Sequence, residues 1–252
     1  MSKNLKIPAK PNRCPACRGK LLAHVKDVLA KKTQRMLPLY YCMECESFTN
    51  PSGFVLSEQY NKDMVAFHES IHQRNLGYCK ELFDKILPLR ERNQKIIEIG
   101  CATGTLLKYA ASIGIEGIGY DLNQYTVDYG KEKFGLDLRC EEWNANTVTD
   151  SDIDWVLLIS VLEHIERPEF LIKEIATFCQ KTGAYLFISV PFLDRPAWKF
   201  INEPDAKGSL FFDCDEHVMH FSRRGLKRLL QLWWGKEFVQ ITGTWNGFVV
   251  KF

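Results

Sequence analysis

The stretch KIIEIGCATGTLL, residues 95–107, decides the fold. Its apolar run ends in Glu98-Ile99-Gly100, passes through a turn of small residues, and resumes with helical character near Thr103. That order is a β-strand, a tight turn and a helix start. IEGIGYD follows as a second strand and ends in Asp121, 17 residues after Gly104. In a βαβ unit this places Asp121 at the carboxyl end of the neighbouring strand, beside the crevice where such sheets bind ligands.

Two cofactor classes fit a glycine turn followed by an acid. A dinucleotide fingerprint reads G-x-G-x-x-G and sets a pyrophosphate on the helix N-terminus. Here the turn reads G-x-x-x-G, with Ala102 between the glycines, and it carries Glu98, which repels phosphate. S-adenosylmethionine has no phosphate, and its ammonium and sulfonium are attracted to a carboxylate. Asp121 suits ribose hydroxyls in either case, so Glu98 tips the reading toward S-adenosylmethionine.

The same alternation extends along the chain. Strands are expected at Lys95–Ile99, Glu116–Tyr120, Leu136–Cys140, Asp154–Ile159 and Ala184–Val190, with helices at Thr103–Ile113, Gln124–Phe134 and Pro168–Cys179 between them. Ser222 is placed to cap a helix running to Trp233, and two strands, Phe238–Thr242 and Gly247–Phe252, close the chain. Before the first of these strands, 57–89 reads as helix, with Gly77 as a point of division and Pro88 as the stop. Strands alternating with helices predict an α/β fold with a parallel sheet and helices on both faces.

With these motifs in order, residues 57–252 resemble a class I S-adenosylmethionine-dependent methyltransferase of the small-molecule subgroup. EIGCATG resembles that family's first motif, with Ala102 replacing the usual middle glycine, and GYD resembles the acidic end of its second strand. IDWVLLISVLEHIERP, 153–168, and EHVMHFSRRGLKRLL, 216–230, resemble two later family stretches. The resemblance implies a Rossmann-like sheet of seven strands whose last strand is antiparallel. It also implies that Glu98, Gly100, Cys101, Ala102 and Gly104 hold the methionine part of the cofactor, and Asp121 with Leu122 the ribose. Glu141, Glu142 and Trp143 would lie beside the adenine, and Ser160–His164 would face the methyl group. The implied domain plan is a basic arm and zinc ribbon (1–56), linking helices (57–89) and a catalytic domain (90–252) with a substrate lid at 191–221.

The ribbon rests on CPAC (Cys14, Cys17) and CMEC (Cys42, Cys45), spaced C-x2-C-x24-C-x2-C. Each pair forms a knuckle that aims two thiolates at one point, and four thiolates make a closed, structural Zn2+ site. A redox dithiol belongs beside a thioredoxin-like βαβ unit, which is missing here. Residues 1–40 carry ten Lys or Arg against Asp27 alone, so they hold +9, and a net charge of +2 leaves −7 on the remainder. This asymmetry suggests an anionic acceptor, or else nucleic acid held by the ribbon. A ribbon poor in aromatics argues against base stacking.

A proton acceptor for the methyl acceptor is sought among the six histidines, His217 first and His164 second. Asp213, Asp215, His217 and His220 are spaced permissively for a divalent cation. His68-Glu69-Ser70-Ile71-His72 matches H-E-x-x-H, the helical signature of zinc proteases. Its third ligand is missing, because Glu91 follows Pro88 in a turn, so the His68 and His72 face is expected to line the cofactor or substrate pocket instead. The N-terminus has no apolar h-region, and no apolar run approaches the ~18 residues a membrane span needs, so a cytoplasmic protein is expected. A non-catalytic module that keeps the scaffold is the reading furthest from an enzyme. Intact Glu98, Gly100, Gly104 and Asp121 argue against it.

Overall fold

The computed structural model describes residues 10–30, 34–51, 62–92, 94–148, 152–193, 216–235 and 237–251. They divide into two compact units, one of 1–56, 162–172 and 191–233 and one of 57–161, 173–190 and 234–252.

The second unit carries the sheet that the glycine turn announced. Its strands are β4 (Lys95–Ile99), β5 (Glu116–Asp121), β6 (Asp137–Cys140), β7 (Trp155–Ile159), β8 (Tyr185–Ser189), β10 (Phe238–Ile241) and β11 (Gly247–Val250). They order as β10-β11-β8-β7-β4-β5-β6. Neighbouring strands from β6 to β8 run parallel, and β11, last in the chain, is antiparallel to both β8 and β10. The strand order reverses at β4, which has β5 on one side and β7 on the other. In open α/β sheets the ligand crevice opens at the carboxyl ends of the strands at such a switch.

Helices α2 (Thr105–Ser112) and α3 (Gln124–Phe134) pack on β5 and β6, and α1 (Asp63–Ile86) lies against both helices. Cys79, Leu82, Phe83 and Ile86 of α1 join Ile96, Leu107, Trp155, Leu157, Phe187 and Val249 in one apolar core. Gly77 does not divide α1, which runs unbroken from Asp63 to Ile86. A Cβ at Gly77 would meet nothing within 4 Å, so the glycine occupies an open helical position. Burial of the last two turns outweighs its low helix propensity of about 1 kcal/mol.

At the opposite ends of the strands, buried Asp154 accepts the backbone N–H groups of Gln94 and Lys95 at 2.8 and 3.1 Å. Arg92 Nε lies 3.0 Å and Arg90 Nη2 3.2 Å from the same carboxylate. This network fixes the entry into β4 with its buried charge fully partnered.

The first unit holds a four-stranded sheet ordered β1-β2-β3-β9, built from β1 (Leu22–Leu29), β2 (Met36–Cys42), β3 (Phe48–Thr49) and β9 (Met219–His220). β1 and β2 pair antiparallel in the stretch between the cysteine pairs, with Leu22 opposite Cys42. β9 joins from the far end of the chain, with Phe48 opposite His220 and Thr49 opposite Met219. α4 (Pro168–Thr182) starts on its proline as expected. α5 (Arg223–Leu230) is capped by Ser222, whose Oγ accepts the Gly225 N–H at 2.8 Å. Of the expected substrate lid, residues 194–215 lie outside the described residues, as do Asp213 and Asp215. No helix among the described residues is long and apolar enough to cross a membrane.

Candidate functional site

The glycine turn folds back on itself at the carboxyl end of β4. The Gly100 and Cys101 N–H groups both donate to the Tyr120 carbonyl, at 2.7 and 3.1 Å, and Gly104 N–H donates to Cys101 O at 2.8 Å. Gly100 and Gly104 take φ of +77° and +73°, and a Cβ on Gly100 would meet Val161 Cγ2 at 2.3 Å. Both positions therefore require glycine. Ala102, the residue that departs from the family pattern, also sits in the left-handed region at φ 47°, as does Ser160 at φ 54°. Two non-glycine residues are thus held in costly backbone conformations just beyond β4 and β7. Nothing local in the sequence marks this strain.

Asp121 pins the turn. Its Oδ2 accepts the Ala102 N–H and its Oδ1 the Asn123 N–H, both at 2.8 Å. Asn123 then caps α3 by accepting the Tyr125 N–H. Each carboxylate oxygen keeps a further lone pair for an incoming donor. Glu98 is 7% exposed, and its Oε2 is buried without a hydrogen-bond partner. Burial, and after it the Asp121 charge, raise the Glu98 pKa well above the usual carboxylate range. An orphaned carboxylate oxygen beside a second carboxylate suits a cationic ligand.

The remaining sequence candidates differ in burial and partners. Cys101 is buried, and its thiol is raised by burial and by Glu98 and Asp121. Leu122 is exposed, as are Glu141 and Glu142. Trp143 is buried edge-on against Phe178, ring centroids 5.7 Å apart, in the packing of the second unit. Ser160 is exposed and donates its N–H to Ser189 O at 3.0 Å.

A family model for a methyltransferase domain matches residues 70–232, nearly two thirds of the chain. The chain belongs to the methyltransferase domain family. Among curated relatives, ubiquinone biosynthesis O-methyltransferase from Coxiella burnetii is 24% identical over 103 residues, covering 39% of this chain and 44% of the relative. The protein of the same name from Bartonella tribocorum is 26% identical over 144 residues, 52% of this chain and 58% of the relative. The chain thus spans about half the length of these curated relatives. Among solved structures, an O-methyltransferase family protein from Burkholderia thailandensis matches with a TM-score of 0.55 at 14% identity, covering 75% of this chain and 58% of that one. TnmH matches with a TM-score of 0.53 at 15% identity, covering 74% and 57%. These structural matches bear on the fold.

In this methyltransferase-domain protein the H-E-x-x-H match is explained by helix packing. His72 Nδ1 lies 2.8 Å from Thr105 Oγ1, at the start of α2, and its ring stacks on Phe134 at 5.0 Å. Glu69 accepts from Tyr129 and Lys133 of α3. His68 and His72, with Gln73, Thr103, Tyr129 and Lys133, line a cavity of about 300 Å3. Burial lowers the His68 pKa, and the Asp121 charge opposes that shift. Among the described residues the clusters suited to a metal lie elsewhere.

One such cluster is the four cysteines. Cys14 Sγ is 3.7 Å from Cys45 Sγ, and Cys17 Sγ is 3.6 Å from Cys42 Sγ. A disulfide needs about 2.05 Å, whereas thiolates at 2.3 Å from one Zn2+ stand about 3.8 Å apart in a tetrahedron. The two knuckles share a design. Arg18 N–H donates to Cys14 O and Glu46 N–H to Cys42 O, both at 2.8 Å, and Arg18 and Glu46 each take positive φ. Hydrogen bonds from Cys14 and then Cys45 lower the Cys42 pKa.

The second cluster is Glu163, His164 and His217, both sequence-predicted histidines joined by a carboxylate that sequence reasoning passed over. His164 and His217 rings sit 4.8 Å apart. Burial lowers both imidazoles, His217 to about 4, and raises Glu163 to about 8. His220 is fully buried, with Nε2 2.8 Å from Asn50 Oδ1.

Proposed function

We propose that the protein transfers a methyl group from S-adenosylmethionine to a small-molecule acceptor. The observation that carries this reading is the orphaned, buried Glu98 oxygen beside Asp121 at the sheet's switch point. A dinucleotide phosphate would be repelled there, whereas an ammonium or sulfonium would be stabilised. When bound, S-adenosylmethionine supplies an electrophilic methyl group. Glu98 would face its cationic part, the Gly100–Gly104 turn would wrap the methionine portion, and Asp121 would accept from the ribose hydroxyls. In the same reading Cys101 and Ala102 line the turn, Leu122 flanks the ribose, Glu142 and Trp143 bound the adenine side, and Ser160 faces the methyl group.

His217, and second His164, are proposed to take the acceptor's proton, each starting as the neutral imidazole. The names of the curated relatives, O-methyltransferases of ubiquinone biosynthesis, favour a hydroxyl as the methylated group. Zn2+ on Cys14, Cys17, Cys42 and Cys45 is proposed as a structural ion, since four thiolates leave it no open position. The sulfur spacings of 3.6 and 3.7 Å support that assignment.

The test is transfer of label from S-adenosylmethionine carrying an isotopic methyl. The protein is offered a set of hydroxylated small molecules in one arm and RNA in the other. Label on a small molecule supports the proposal. Label confined to RNA would favour nucleic acid as the acceptor, with the basic residues of 1–40 as its phosphate contacts.

A further inference from the structure

The Glu163, His164 and His217 cluster has a feature that proton transfer does not require. Glu163 is 2% exposed, yet neither of its carboxylate oxygens has a hydrogen-bond partner. A buried carboxylate left this way is costly unless a cation or a donor meets it. His164 Nε2, at 3.9 Å from Glu163 Oε1, is too far to donate a hydrogen bond. Its other nitrogen is committed, because Nδ1 lies 2.9 Å from the Glu216 carbonyl and can only donate to it. That bond fixes the tautomer and leaves the Nε2 lone pair facing Glu163. A backbone carbonyl behind an imidazole is the usual outer support of a metal-ligating histidine.

The backbone holds the three ligands together independently of their side chains. Glu163 sits in a single 3-10 turn, Leu162–His164, and its carbonyl accepts the Val218 N–H at 2.9 Å. Val218 O in turn accepts from Thr49 Oγ1 at 2.9 Å and from Asn50 N–H at 3.1 Å. His217 therefore lies between Glu216, bonded to the His164 ring, and Val218, bonded to the Glu163 backbone. One ligand atom from each of the three side chains lies within 4.8 Å of the other two. Metal bonds of ~2.0–2.2 Å require ligand atoms ~3.0–3.5 Å apart, which small side-chain rotations supply.

We propose that Glu163, His164 and His217 bind a divalent first-row transition cation, separate from the four-cysteine centre. Two imidazoles and one carboxylate suit Zn2+, Fe2+, Mn2+ or Co2+ rather than Ca2+, which prefers an all-oxygen shell. Three protein ligands leave open positions for water or for an oxygen of a bound molecule. The site goes beyond the methyl-transfer reading and does not depend on it. With the cation held, His217 is a ligand, and the proton-acceptor role proposed for it above applies only to the chain without that cation.

The experiment uses the full chain with its four-cysteine centre filled by Zn2+. It is dialysed against Co2+, and metals are counted per chain alongside the cobalt absorption spectrum. The proposal expects one Co2+ beyond the thiolate-bound ion, with weak d–d bands and no sulfur-to-cobalt charge transfer. Glu163→Gln and His217→Gln should each weaken that second ion by about ten-fold or more, while the thiolate-bound ion stays in place. Thermal unfolding of both variants checks that they fold, and the wild-type count decides should either fail to. A wild-type chain that takes no metal beyond the thiolate-bound ion overturns the proposal. So does a second ion retained at full affinity by both folded variants. Binding of S-adenosylhomocysteine, measured on the same samples, reports on the cofactor reading separately.

Discussion

Glu98 is where the chemistry of the molecule is most exposed to test. Its folded-state pKa is raised, by burial first and by Asp121 second, above the ordinary carboxyl value of 4.5. Folding therefore favours the protonated form, and the stability that form contributes is lost as pH climbs from the unfolded value toward the folded one. Glu98→Gln keeps the neutral shape. The free variant should gain thermal stability relative to wild type as pH rises above ~4.5, while losing about ten-fold or more in affinity for S-adenosylmethionine. In the wild type a cationic ligand prefers ionised Glu98. Binding should accordingly release a proton and tighten with rising pH, measurable by calorimetry in buffers of different ionisation enthalpy. Glu98 was legible in the sequence because its charge stands out in an apolar strand. Glu163 was not, because it lies inside the family-like stretch VLEHI, where His164 drew the attention.

At the scale of elements, periodicity told most of the story. β4 and α3 fall on the residues the sequence predicts, and the glycine turn and the Ser222 cap follow from local chemistry. Long-range pairing was not legible. The two-residue strand Met219–His220 has no local signature and exists through its partner Phe48–Thr49, about 170 residues away. Gly77 misled for the opposite reason. A helix breaker in isolation is tolerated when the neighbouring turns bury Cys79, Leu82, Phe83 and Ile86. Gly77→Ala should therefore stabilise the protein by about 1 kcal/mol, read as a shift in the urea midpoint with an unchanged slope. A loss of stability would mean that the glycine meets a close neighbour or a strained backbone.

The two units differ in what holds them. The second has an extended apolar core; among the described residues, one cluster at the hairpin of the first holds Leu39 and Phe48, with Val25, Val28, Tyr41 and Leu193 packed partly buried around them. The Zn2+ proposed on the four cysteines would supply much of the folding free energy of that sheet. A strong chelator should abolish amide exchange protection across Leu22–Leu29 and Met36–Cys42, and re-addition of Zn2+ should restore it. Retained protection in metal-free protein would contradict a metal-supported ribbon.

The central claim is that the turn between β4 and α2, with Asp121, forms a site for S-adenosylmethionine. Calorimetric titration of S-adenosylhomocysteine into wild type and Asp121→Asn tests it most directly, with the fold of the variant checked by its thermal unfolding. The account predicts one site per chain in the wild type and a marked loss of affinity in the folded variant. Absence of binding to the wild type, or equal binding to the folded variant, would contradict it.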